Sequence, residues 1–417
     1  MTNEWDVIVV GAGLAGLTAA TTARQSGAKV MVVEAHQPGG RARAVQRDGF
    51  IFNMGGHALY RGGPGWKVLH TLGITPDGQA PPMDRYRALV HGHQHHLPTG
   101  PGSLLRTGAL GMRGRVQLAV LLTRLPRLNP ASLSTTSVAD WLGSLRLRPD
   151  ADGLLRALIR LSTYTADVDG FSADAAVCQL QVASTAGVLY LHGGWRQLVD
   201  ALGRSLEVRP GVDVTGVEPT RGGVEVHTRE GNLSASRVVL AAGAPAAVRR
   251  LLPADPGWGD LGSPLTAACL DLGVSHAPQP GYVLSLDDPL YATTQSPPAR
   301  QAPEGQAVVA AIRYGARSAD ADRAQLDAMV AEAGIRSGDV VTSRFLAHMT
   351  VAGAIPLARN GGLSGRPGAE DTGVPGVTMA GDWVGPAGLL ADAALASGHA
   401  AGHLSGRDAA GSATMVA

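Results

Sequence analysis

The 417-residue chain is 45% hydrophobic and 17% charged, enough apolar mass for a large core and more length than one core usually holds, so two domains are expected. A formal net charge of +1 gives no bulk attraction for nucleic acid, and no apolar run approaches the ~20 residues needed to span a bilayer. Cys178 and Cys269 lie far apart without metal-type spacing, which suits reduced thiols better than a disulfide framework.

The opening MTNEWDVIVV is acidic and strand-like, with no basic region ahead of a cleavable apolar stretch, so no secretory signal is expected. Residues 6–34 have the pattern of a βαβ unit. DVIVV is a buried strand, LAGLTAATTARQSG has helical spacing, and AKVMVVEA is a second buried strand. Gly11, Gly13 and Gly16 form G-x-G-x-x-G between the first strand and the helix, and Glu34 ends the second strand. The first glycine permits a tight turn, the second lets a pyrophosphate approach the backbone, and the third lets helix and strand pack closely. The helix N-terminus then faces the negative charge. Glu34 stands where adenosine ribose hydroxyls need an acceptor, and its charge argues against a 2′-phosphate there.

Next comes FNMGGHALYRGG, residues 52–63, in which two glycine pairs bracket His57, Tyr60 and Arg61. Backbone this bare suits close passage past something flat or charged. YRALVHG and HQHHLP predict a hairpin around Gly92, whose alternation sends the histidines to different faces, so no metal site is expected. Residues 103–206 are mostly helical in spacing, with breaks at Pro126, Pro130, Pro149 and Gly170. The stretch LLRTGALGMRGRVQLAVLLTRLPRL mixes apolar residues with arginines and reads either as a helix covering a cavity or as a lipid-facing surface. Strand patterns return in VDVTGVEP, GVEVHTREG and SRVVLAAGAP, followed by a mixed, proline-rich region over 253–350. The end reads as a strand, a glycine loop and a long helix, and residues 406–417, small and polar, are expected to be disordered.

After Glu34, GGRARAVQRDGFIFNMGGHAL resembles the G-G-R segment of FAD enzymes in the amine oxidase, protoporphyrinogen oxidase and phytoene desaturase superfamily. AGDWVGPAGLLADAALASGHAAG resembles that superfamily's C-terminal FAD motif, and VDVTGV resembles its adenine-reading strand. The resemblance implies non-covalent FAD. Gly39, Gly40 and Arg41 would run along the pyrophosphate, and Gly55 and Gly56 would pass the flavin ring. Val212 would read adenine through its backbone. Gly381 and Asp382 would meet the ribityl–phosphate region, while Leu390 and Ala391 would aim N–H groups at the pyrimidine end. LVHGHQHHLPTGPGSLL, VADWL and YLHGGWRQLVDAL look most like phytoene desaturase-like bacterial oxidoreductases.

The chain lacks two features common in relatives. Lys29 and Lys67 are its only lysines, so the substrate-domain lysine of amine oxidases is missing, and no cysteine follows Cys269 to tether a flavin. The expected architecture is α/β: a Rossmann-type, glutathione reductase-like FAD domain with an interleaved α+β substrate domain. Residues 1–80, 196–252 and 351–405 would form the first, and 81–195 and 253–350 the second. The expected activity is that of an FAD-dependent dehydrogenase or desaturase taking hydride from a C–H bond of an apolar small molecule to flavin N5. Oxygen, a quinone or another oxidant would be the acceptor, since no second dinucleotide motif exists. C–N oxidation, redox-neutral isomerisation and a non-catalytic FAD-binding role are the alternatives. His57 and Tyr60 are the candidate catalytic residues, His57 because imidazole titrates near neutrality; alternatively His57 only bonds backbone and shapes its loop. A cytoplasmic location is expected, with peripheral membrane contact left open.

Overall fold

The computed structural model describes residues 4–98 and 100–414. Two seven-stranded sheets organise it. The first grows from β1 (Trp5–Val10), the helix α1 (Leu14–Gln25) and β2 (Val30–Glu34), whose apolar runs are buried on both faces. Across it the order is Glu207–Pro210, β2, β1, Gly231–Leu240, Gly223–Thr228 and Val214–Thr220, with Val377–Met379 also pairing with Gly231–Leu240. The strands from Glu207–Pro210 through Gly231–Leu240 and Val377–Met379 pair in parallel; the last two in the row form an antiparallel meander. Three stretches remote in sequence therefore build one doubly covered sheet, the arrangement that places a helix N-terminus at the carboxyl end of β1.

The second sheet runs Val340–Ala352, Leu265–Val274, Ala307–Tyr314, Leu290–Ser296, Tyr282–Ser285, Arg87–Val90 and His93–His96. The last two are the expected hairpin, turned by His91 and Gly92, both at positive φ (48° and 75°) as a type I′ turn requires. Val340–Ala352 begins in the region read from sequence only as mixed, and four further strands of this sheet and the helix Ala319–Glu332 lie wholly within it. Their runs, such as AVVAAIRY, are buried on both faces and so show no alternation. Helices between Pro101 and Ala186 pack over this sheet, and the shared core contains Leu118, Leu154, Phe171, Tyr190, Tyr291 and Ile312.

The C-terminal helix, Leu390–Thr414, runs past the point where a disordered tail was expected. Gly398, Gly402 and Gly406, one turn apart, face Ala15, Ala19 and Ala23 of α1; a Cβ at Gly398 or Gly402 would collide with an α1 carbonyl, and one at Gly406 would press tightly on Ala23. The glycine stripe lets the two helix backbones touch, and the Ser405 hydroxyl meets Thr378 at 3.0 Å. Residues 406–414 are therefore helical; 415–417 lie outside the described residues.

Candidate active site

The glycine loop after β1 behaves as its spacing implies. Gly11 sits at φ 106° with its missing Cβ aimed at the Ala241 carbonyl, and a Cβ on Gly16 would strike the Gly11 carbonyl. Gly13 is different: no protein atom lies within 4 Å of where its Cβ would be. Gly40, at φ 52°, faces only the Gly13 Cα, and the Gly39 N–H donates to the Ala12 carbonyl at 2.7 Å. Two glycine motifs thus back onto each other around space that protein atoms leave free, a cradle suited to a pyrophosphate. Glu34 borders it, one carboxylate oxygen accepting from the Ala12 N–H (2.8 Å) and the other from the His36 N–H (2.9 Å). Each oxygen keeps a lone pair for a ribose hydroxyl.

Arg41 donates to Asp382 (2.7 Å) and to the Val351 carbonyl (2.7 Å). Burial opposes the guanidinium charge, but pairing with buried Asp382 outweighs it and raises the Arg41 pKa. Asp382 also accepts the Gly353 N–H, and both backbone groups of Gly381 are held by the Ser397 hydroxyl at 3.0 and 2.8 Å. Residues 341 positions apart in sequence, Arg41 and Asp382, thereby close the cradle. Val212 lies directly beside the strand that carries Glu34. Its N–H is committed to the Glu34 carbonyl at 3.0 Å, leaving only its own carbonyl to meet an adenine edge.

Gly55 (φ 86°) and Gly56 turn their Cβ sides toward the second sheet: Met349 and Cys269 at Gly55, and Ile312 and Tyr291 at Gly56. The second sheet, pressing from that side, is what excludes side chains here. Tyr164 donates to the Gly56 carbonyl at 2.7 Å and meets the Tyr291 hydroxyl at 2.5 Å. Tyr291 stacks on Tyr314, with centroids 5.5 Å apart, and Tyr164 stands edge-on to Tyr314. A second group follows, Tyr190 bonding Tyr86 (3.2 Å) and Thr293 (2.9 Å). Burial raises the pKa of every one of these phenols, so they stay neutral. The carboxylate among them, Asp271, is tied to Arg344 at 2.5 Å. Arg344 in turn holds the Asn53 carbonyl, and the Asn53 side chain caps the Trp195 N–H at 2.9 Å.

His57 lies beside this wall. Its Nδ1 meets the Gly55 carbonyl at 2.9 Å, the Arg41 carbonyl offers a second backbone contact, and the ring stands edge-on to Trp195 at 4.9 Å. Burial pushes its pKa below the ordinary value against the pull of those two carbonyls, so the ring is neutral near pH 7. These are the contacts of a residue that fastens its loop. Tyr60 donates to the Ser162 carbonyl at 3.2 Å, and burial raises its pKa. Tyr60 is within electrostatic reach of Asp392.

Asp392 is a residue that the sequence reading passed over. It lies in the first turn of the C-terminal helix and is 3% exposed. One oxygen accepts the Gly65 N–H (2.9 Å) and the other has no partner; the Trp66 N–H also contributes. Burial pushes its pKa up to about 7 against those two amides. Just before it, Leu390 adopts φ 53°, uncommon for any residue but glycine. Leu390 packs on the tyrosine-containing core and Ala391 on the core under the glycine loop, so the helix start sits at the junction of the two. No cluster that could hold a metal occurs among the described residues.

Known proteins share the fold and parts of the sequence. Prolycopene isomerase 2 of an Oncidium hybrid cultivar is 45% identical over 59 residues, 14% of this chain and 10% of that protein. Hydroxyneurosporene desaturase of Rhodobacter capsulatus is 54% identical over 50 residues, 12% of this chain and 10% of its own. The chain thus matches only about a tenth of these relatives' length. Cyclohexylamine oxidase from Brevibacterium oxydans has the same fold, with a TM-score of 0.71 and 18% identity over 97% of this chain and 99% of that one. The sequence profile described as flavin containing amine oxidoreductase matches residues 14–266, more than half of the chain, and the protein belongs to that family.

Proposed function

We propose that the protein dehydrogenates an uncharged, largely apolar small molecule at a C–H bond. The observation that carries this reading is the wall facing Gly55 and Gly56. It is built from neutral tyrosines, Ile312 and Met349, and its carboxylate Asp271 is paired with Arg344. An ammonium substrate would find no free carboxylate there, and desolvating it would cost several kcal/mol. Lys29 and Lys67, the chain's only lysines, lie outside this wall.

Gly11, Gly13, Gly16, Gly39, Gly40 and Arg41 would hold the FAD pyrophosphate, Glu34 the ribose, Asp382 the ribityl region, and Leu390 with Ala391 the ring's far edge. FAD, when bound, supplies the two-electron oxidant, accepting hydride at N5. The chain's part is to hold the reacting carbon in register and exclude water, with Tyr164 fixing the Gly56 backbone through its hydrogen bond. Overall the substrate would give up two hydrogens, one as hydride and one as a proton released to solvent, and oxygen, a quinone or another oxidant would take up the two electrons. The local similarity to a prolycopene isomerase favours one second reading, isomerisation without net oxidation. Product mass separates them. Dehydrogenation removes two hydrogens from the substrate, and a converted product of unchanged mass would replace this reading with isomerisation.

A further inference from the structure

We propose that the helix Met112–Arg124, with the short helix before it, docks the protein on an anionic lipid bilayer surface. Seven large apolar side chains are conspicuously exposed among the described residues, and four of them fall between positions 105 and 120. These are Leu105 (70% exposed), Met112 (69%), Val116 (57%) and Val120 (44%). Met112, Val116 and Val120 recur every fourth residue, which sets them in one stripe along the helix. The opposite face, Gly114, Leu118 and Leu121, is buried, Leu118 and Leu121 in the core that contains Tyr190 and Tyr291. Arg115 donates to the carbonyls of Leu105 (2.7 Å), Thr107 (2.6 Å) and Leu110 (3.0 Å), fastening the segment that carries Leu105 to this helix.

Charge selects the occupant. Between Asp84 and Asp140 the sequence holds no acidic residue and seven arginines. Arg106, Arg113, Arg124 and Arg127 are exposed around the stripe, and none forms an ion pair with a described residue. Gln117 brings Arg146 and Arg148 alongside through its side-chain hydrogen bonds to their backbones. Asp150, the nearest carboxylate, is occupied by the Gly111 N–H at 2.7 Å. An apolar stripe rimmed by arginines is the pattern of an interfacial helix on anionic headgroups. No described helix is long and apolar enough to cross a membrane, so the contact would be peripheral.

The test is sedimentation of the full-length, FAD-loaded protein with vesicles. It should pellet with vesicles containing phosphatidylglycerol, far less with phosphatidylcholine alone, and release as salt rises. The triple variant Met112→Glu, Val116→Glu, Val120→Glu should lose at least about tenfold in partitioning while keeping its flavin. If the triple variant loses flavin, Val116→Glu alone and the pair Arg113→Glu, Arg124→Glu carry the comparison, each lowering partitioning severalfold. Absence of pelleting with anionic vesicles, or unchanged pelleting of flavin-retaining variants, overturns the proposal. A concentration-dependent dimer abolished by the same variants, without vesicle binding, overturns it in favour of a second copy of the chain.

Discussion

Replacing Asp392 by Asn tests the junction between the C-terminal helix and the glycine-rich loop. In the unfolded chain this carboxyl titrates at its ordinary 3.8, whereas in the folded protein burial holds it near about 7. Between those values the folded state keeps a proton that the unfolded state has released. The folded state therefore binds more protons, and stability falls as pH rises through the window. At ~1.36 kcal/mol per pKa unit, the loss between about pH 5 and pH 8 comes to roughly 2–3 kcal/mol, complete only above the folded pKa. Asparagine keeps an oxygen for the Gly65 N–H but carries no charge to desolvate. Urea unfolding of wild type and Asp392→Asn at both pH values isolates this group, because other titrations cancel in the difference. The variant should gain about 2–3 kcal/mol on wild type between pH 5 and pH 8. A difference flat to within about 0.5 kcal/mol across that range would show that Asp392 is not held protonated in the fold.

Three further outcomes follow from the cradle. Gly13→Val should abolish FAD retention while leaving apoprotein stability within about 0.5 kcal/mol, since the new side chain enters space free of protein atoms; a variant that unfolds, or one that keeps FAD, would contradict this. Glu34→Ala should weaken FAD by roughly 1–3 kcal/mol, read as the dissociation constant of the reconstituted apoprotein, and an unchanged constant would place the ribose elsewhere. His57→Ala should lower flavin occupancy and thermal stability, with flavin reduction in the loaded fraction within about threefold of wild type. A loss of ~10²–10⁴-fold in that rate would instead assign the imidazole an acid–base role.

The glycine cradle was legible because its signals are local. A turn glycine, a helix start and a terminal acid follow one another within one βαβ unit, and each has a single steric or electrostatic reason. The C-terminal helix was legible as far as its apolar spacing ran. Its last part was lost because residues 406–417 are small and polar, the composition of a disordered tail, and their helix continues a contact with α1 that only the fold shows. The contacts within the tyrosine wall could not be read from sequence. Tyr164 reaches Gly56 across 108 positions and Tyr291 across 127, and nothing in either neighbourhood announces the partner. Asp392 is the extreme case, a carboxyl in an alanine-rich helix whose hydrogen-bond donor lies 327 residues earlier. His57 stood out by its glycine surroundings. Only the fold showed that Gly55 and Arg41 carbonyls and the Trp195 ring surround it.

A wall of neutral phenols that selects an uncharged substrate should make flavin reduction depend on substrate charge. Anaerobic rapid mixing of the FAD-loaded protein with two matched panels, unsaturated hydrocarbons and primary or secondary amines of similar size, tests it most directly. At least one hydrocarbon should bleach the oxidised flavin band, more slowly by severalfold in Tyr164→Phe, and the amines should leave it unchanged. Bleaching by amines with none by hydrocarbons would contradict this selectivity and return the protein to C–N oxidation.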